Sequence, residues 1–316
     1  MSEALIHAKR LSRHYGRRIA VNAVDFTVSR GRIVGVLGLN GAGKSTLMQM
    51  LTGNLAPSAG SVTVGGVDLL QKPRDAKAMI GYLPENPPLY RDFTVTDYLR
   101  FCGRLHGLRG QALRAATAAA QARCGLSAAG KRLIGHLSKG YQQRVGIAQA
   151  ILHNPPVVIL DEPTVGLDPI QMRDIRALIR QLGDQHAVIM STHLLPEVQA
   201  VCSHVHIMRE GRWVFADSLA GLTDRLSPHR LVVQLDSAPA DLTPLTTLPG
   251  VLEVTGSATQ LTLRHNGDAA IATRAAAAVV AAGWSLRALY PERISLEQVF
   301  VDRVMREQPS IQAAAQ

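Results

Sequence analysis

GLNGAGKST, residues 38–46, is the stretch from which the rest of this chain is read. It fits G-x-x-x-x-G-K-[ST] from Gly38 through Ser45. It lies between the apolar run 32–37 and a segment in which Leu47, Met50 and Leu51 recur at i, i+3 and i+4. The run reads as a strand buried on both faces, and the spacing after it as a helix. Strand, glycine loop and helix start, in that order, build an anion cradle. Glycines let backbone N–H groups curl around phosphate oxygens where side chains would obstruct. The helix beyond aims its positive dipole end at the same anion. On this reading Gly38, Leu39, Asn40, Gly41, Ala42, Gly43 and Thr46 shape the cradle around nucleotide phosphates. Lys44 neutralises phosphate charge, and the Ser45 hydroxyl ligates Mg²⁺.

Two further stretches complement that loop. VVILDEP, residues 157–163, is an apolar strand ending in two carboxylates. Asp161 at the strand tip is placed to hold Mg²⁺, and Glu162 to polarise a water for in-line attack on a terminal phosphate. LSKGYQQRVGIAQA, residues 137–150, puts a serine and a glycine at a helix start, a second set of free N–H donors. A helical region separates it from Lys44, so one chain carries two half-sites that cannot close on one nucleotide. Two copies packed head-to-tail complete both.

Strand-like runs at 5–8, 24–28, 32–37 and 61–64 precede a helical region at about 92–137. Runs at 157–160, 187–190 and 205–208 follow, with a helix at about 170–182. Alternation of strand and helix predicts an α/β fold with a parallel sheet. A second unit begins near Ser218, with strands at 230–235, 252–254, 261–264 and 285–289. Asp268 is read as the cap of a helix ending at Gly283, and a last helix covers 295–306.

The ordered set resembles the ATP-binding subunit of ABC transporters over about residues 5–217. That resemblance implies a P-loop NTPase core: a parallel sheet flanked by helices, an antiparallel β subdomain and a helical subdomain at about 92–137. The ATP-binding domain then spans 1–217 and a small C-terminal α/β accessory domain 218–316. It also implies roles by position. Tyr15 matches the aromatic that stacks on adenine. Ser138 and Gly140 in LSKGYQQ match the signature that touches the γ-phosphate held by the partner copy. Asp168, with Gly166 and Leu167, matches the D-loop at the dimer interface, and His193 in MSTHLLPEV the switch histidine. Glu85 in IGYLPEN occupies the position where the family has a glutamine that meets metal or water. Lys139 and Tyr141 also depart from the commonest signature residues. LPEN, LSKGY, DEPTVGLDP and the tail SLEQVFVDRV resemble the ABC-2 type export branch, near the gliding-motility and copper-maturation ATPases. The resemblance implies a transport-coupled ATPase using ATP and Mg²⁺, working as a homodimer beneath a permease on a separate chain. Its place is the cytoplasmic face of the inner membrane.

Of 316 residues, 34 are Lys or Arg and 24 Asp or Glu, a net charge of +10, with 47% hydrophobic residues. That hydrophobic fraction excludes a disordered chain. No uncharged apolar stretch reaches the roughly 18 residues needed to cross a bilayer. Three cysteines without ligand spacing read as reduced thiols. The positive charge admits an alternative, a non-transport ATPase acting on nucleic acid or ribosomes. Against it, sustained heptads are absent and there is only one phosphate loop. No N-K-x-D guanine-reading motif is present, so a GTPase fits less well, and nucleic acid is not expected as a partner. Of eleven histidines only His193 follows a strand with Ser-Thr before it; His136, His153, His186, His204 and His206 are read as surface or packing residues.

Overall fold

The computed structural model describes residues 4–219, 229–292 and 300, which fall into two compact units divided near residue 219. In the first, β1 (Ala4–Tyr15), β2 (Arg18–Ser29), β4 (Ala59–Val64) and β5 (Val67–Asp68) form an antiparallel sheet in the order β2-β1-β4-β5. A six-stranded sheet combines β3 (Ile33–Leu37), β6 (Ile80–Leu83), β7 (Val157–Asp161), β8 (Ala187–Thr192), β9 (His204–Arg209) and β10 (Arg212–Ser218). Its order is β10-β9-β3-β8-β7-β6. The strands β9, β3, β8, β7 and β6 run parallel, and β10 closes one edge antiparallel to β9.

Every residue of β3, β7 and β8 is buried, because both sheet faces are covered. The alternation of their side chains feeds two separate cores. Val34, Val36, Val157, Ile159 and Ile189 join the core shared with the antiparallel sheet and α1 (Lys44–Leu51). Ile33, Val158, Leu160, Val188 and Met190 join the core on the other face. There they meet α3 (Val95–Leu105), α4 (Gly110–Arg123), α5 (Lys139–Ile151) and α6 (Pro169–Gly183). Each such aliphatic side chain contributes roughly 1.5–3 kcal/mol by leaving water. The region at 92–137 is helical, as expected. Thr94 caps α3 by accepting the Asp97 N–H at 3.1 Å, and its hydroxyl donates to the Asp97 carboxylate at 2.6 Å.

Three strands were not anticipated, the two-residue β5 among them. β6 has four residues, follows the short α2 (Pro73–Ala78) and is stopped by Pro84. Its Gly81 lies so close to the Ala150 carbonyl that no β-carbon fits. β10 is a partly exposed edge strand whose apolar run, Trp213 to Ala216, is only half-buried.

The second unit pairs β11 (Arg230–Leu235), β12 (Val251–Ser257), β13 (Gln260–His265) and β14 (Leu286–Pro291) antiparallel, in the order β12-β13-β11-β14. Leu231, Val233, Leu261 and Leu263 share a core with Leu245 of α7 (Thr243–Thr246) and with Ala275 and Val279 of α8 (Ile271–Ala281). Asp268 stands two residues before the N-cap, which is Ala270, and accepts its N–H at 2.9 Å. The other Asp268 oxygen takes Arg274 Nη2 at 2.5 Å. The helix expected at 295–306 lies outside the described residues apart from Phe300.

His206 on β9 makes stability depend on pH. Its ring is wedged edge-on between Phe26 and Trp213, each 5.0 Å away, and its Nδ1 has no hydrogen-bond partner. Burial, and secondarily nearby His204, push its pKa down to about 4. The folded value lies below the unfolded value of about 6.5, so the contribution is complete above that pH and is lost as pH falls from about 6.5 towards 4. The slope is roughly 1.4 kcal/mol per pH unit. Melting midpoints measured between pH 7.5 and 5 should fall less steeply in His206→Phe than in the parent. Equal slopes would contradict this assignment.

Candidate nucleotide site

The loop after β3 is wedged between two other strands, which sets its glycines. A β-carbon on Gly38 would lie 2.5 Å from the Met208 carbonyl oxygen, and one on Gly43 would strike the Ala20 carbonyl. Gly43 also has φ +107°, in the left-handed region that a side chain disfavours, and it is the residue from which α1 starts. The free N–H groups of that helix start therefore face outward from a rigid seat.

Lys44 is 6% exposed and folds back across its own loop. Its ammonium donates to the Gly38 carbonyl at 2.9 Å and the Leu39 carbonyl at 3.3 Å, and stands 3.5 Å from Glu162 Oε1. Glu162 follows β7 with φ +48°, an uncommon conformation for a residue with a side chain. Its N–H is held by the Ser191 carbonyl and hydroxyl at 3.2 and 3.0 Å. The carboxylate thus spans Lys44 on one side and His193 Nδ1, at 3.0 Å, on the other. With Nδ1 turned to a carboxylate, that nitrogen carries the proton, which leaves Nε2 free to accept or, in the imidazolium, to donate.

Asp161 is buried and accepts from the Ser191 hydroxyl and, at 3.5 Å, from the Ser45 hydroxyl. Burial raises its pKa, the two hydroxyls oppose that, and the charges of Glu162 and Glu85 add to it. Tyr82 is raised by burial and by Asp161 and Glu85, so its phenol stays protonated.

These groups surround a cavity of about 350 Å³ lined by Arg18, Ala20, Asn40, Gly41, Gly43, Lys44, Ser45, Thr46, Glu85, Glu162, Val165 and His193. Gly38, Leu39, Ala42 and Asp161 are not in its wall: the first three shape the loop, and Asp161 touches Ser45. Tyr15, 46% exposed, pairs across the β1–β2 hairpin with Arg18, and the Arg13 guanidinium lies 4.8 Å above its ring. Ser138, Gly140 and Asp168 are absent from the wall. Ser138 caps α5, accepting the Tyr141 N–H at 3.5 Å, and Asp168 caps α6, accepting the Gln171 N–H at 2.9 Å. Gly140 packs against the Gln171 side chain, and the Lys139 ammonium against Gly166. The signature segment and the 166–168 loop therefore pack against each other, with Ser138 and Asp168 exposed and Gly140 buried.

Arg18, Val165 and Ser191 went unnoticed in the sequence. Arg18 was within reach, as a cation three residues after Tyr15 in a hairpin; Ser191 sits inside an apolar strand and gives no such signal. Chemically, Arg18, Lys44 and the α1 N-terminus suit a polyanion. Ser45, Asp161 and Glu85 offer only hard oxygen donors, and Glu162 with His193 can orient a water.

The family model described as ABC transporter matches residues 21–165. The ABC transporter ATP-binding protein NatA of Bacillus subtilis is 37% identical over 205 residues, 64% of this chain and 83% of that protein. The bacitracin transport ATP-binding protein BcrA of Bacillus licheniformis is 34% identical over 210 residues, 66% and 68% of the two chains. A solved ATP-binding subunit of an ABC transporter superposes with TM-score 0.64 at 30% identity, covering 70% of this chain and 93% of that one. The structure of CbiO1 from Clostridium perfringens, part of the complex CbiONQ, gives TM-score 0.65 at 27% identity, covering 71% and 92%.

Proposed function

This chain belongs to the ABC transporter family of ATP-binding proteins, whose cassettes are ATPases, and from that premise we propose that it hydrolyses ATP between two copies of itself to drive a separate permease. Each nucleotide lies between the 38–46 loop of one copy and the Ser138–Gly140 segment of the other. The observation that carries this reading is the separation just described: the cavity holds a phosphate cradle, a carboxylate and a histidine, while Ser138, Gly140 and Asp168 line no part of it. Tyr15, on the same hairpin as Arg18, stacks on adenine. Lys44 leaves its two carbonyl partners for the phosphates, Glu162 orients the attacking water, and His193 reaches the γ-phosphate. A divalent cation such as Mg²⁺ fits the oxygen set of Ser45 and Asp161, with Glu85 facing the same cavity, and would neutralise phosphate charge when bound.

Coupling to a membrane partner is supported by a second cavity. Pro84 lines a space of about 560 Å³, and the next residue, Glu85, lines the nucleotide cavity. A segment seated in the second space would press on the peptide that carries Glu85 into the first. Among the described residues no helix is long and apolar enough to cross a membrane, which fits a permease on another chain and a peripheral place on the cytoplasmic face. Export of the ABC-2 type is the direction suggested by LPEN, LSKGY and DEPTVGLDP, and the name of one relative, the Nod factor export ATP-binding protein I of Burkholderia orbicola, supports export. Capture of the tagged chain from native membranes in mild detergent should recover a stoichiometric polytopic protein. Recovery of RNA or ribosomes with no integral protein would overturn the transport reading.

A further inference from the structure

The second cavity carries chemistry of its own. Its wall includes Gln49, Thr52, Asn54, Lys77, Tyr82, His106, Gln149 and His153, with Ile80, Pro84 and Pro88. No carboxylate lines it among the described residues, so every formal charge facing it is positive or can become so. His106, just past α3, and His153, just past α5, are stacked with ring centroids 3.8 Å apart and planes 8° from parallel. Both His153 ring nitrogens are buried without a hydrogen-bond partner.

Resting on the reading that a partner segment docks here, we infer that the cavity is a receptor for an acidic side chain of that segment, His106 taking up one proton from solvent as the carboxylate enters. His106 is the exposed member of the pair and therefore the proton acceptor. Burial lowers its pKa in the free protein, and a carboxylate entering beside it would pull it up again. Burial first, then His106, push His153 down to about 4, against a smaller upward pull from the Ile80 backbone. His153 thus stays neutral, keeps one N–H to donate, and offers its ring face to the imidazolium beside it. Lys77 on α2 adds a fixed positive charge, and Tyr82 on β6 a phenol held protonated. The groups facing His106 and His153 across this space are then donors or cations, the complement of a carboxylate.

The probe is glutamate blocked at both ends, N-acetyl-glutamate α-amide, added to the whole chain while the His106 and His153 ring protons are followed by NMR. Saturable shifts are expected at pH 6, with a dissociation constant on the order of 1 mM. Affinity should fall about tenfold per pH unit above that, since one proton enters with the ligand. His106→Phe, which keeps a stacked ring, should weaken binding at least tenfold without moving the melting transition, and Lys77→Gln should weaken it severalfold. Identical shifts with blocked glutamine, or no saturation at pH 6, would overturn the inference. The probe acts with no partner present, so its outcome is separate from whether a permease is recovered.

Discussion

Glu162→Gln should lower ATP turnover by roughly 10²- to 10⁴-fold while leaving ATP binding intact. The amide keeps the size of the carboxylate and can still bond His193, but it cannot accept a proton from water. Its position is set by backbone, not by the side chain: the N–H is held by two Ser191 atoms and φ is +48°, so the substitution does not move the group. Loss of a negative charge 3.5 Å from Lys44 also frees that ammonium for phosphate, so affinity should hold or rise. Single-turnover hydrolysis and equilibrium ATP titration, run on the same preparation, separate the two effects. Turnover within tenfold of the parent would remove Glu162 from the role assigned to it.

Lys44→Ala should weaken ATP binding by about 100-fold or more, corresponding to about 2.7 kcal/mol. Two losses combine. The cradle gives up one of the two cations that face it, Arg18 being the other. The Glu162 side chain, 8% exposed, then keeps only His193 as an ionic partner, so a buried negative charge faces the incoming phosphates. The Gly38 and Leu39 carbonyls that accept from Lys44 become available to water, so the fold should survive. Calorimetric titration with ATP, with a melting curve to confirm folding, decides the matter. Affinity within threefold of the parent would contradict the role of Lys44.

How much of this was legible depended on the kind of signal. The β3–loop–α1 unit was readable because three independent constraints coincide: an all-buried strand, glycines that nothing else can replace, and helical spacing at Leu47, Met50 and Leu51. Strands β7 and β8 were readable as apolar runs because both faces are covered. β6 escaped because four residues with a glycine and a following proline carry no periodicity, and β10 because its apolar run, Trp213 to Ala216, is short and does not alternate. In the site, residue identities were legible but couplings were not. The fold-back of Lys44 onto Gly38, the left-handed backbone at Glu162 and the double hold of Ser191 on Glu162 and Asp161 arise from strand register across the sheet. The stacked His106–His153 pair lies 47 residues apart in sequence; His153 read as bland and His106 drew no reading, because nothing in the spacing joins them.

The central claim is that one triphosphate is held by two copies of this chain. Its most direct test is sedimentation of Glu162→Gln with and without ATP and Mg²⁺, because that variant binds without consuming the nucleotide. The account predicts a species of twice the 34.0 kDa chain mass only when ATP is present, reverting to monomer when Ser138 is replaced by a bulky acidic residue. A chain saturated with ATP that sediments as a monomer would contradict it.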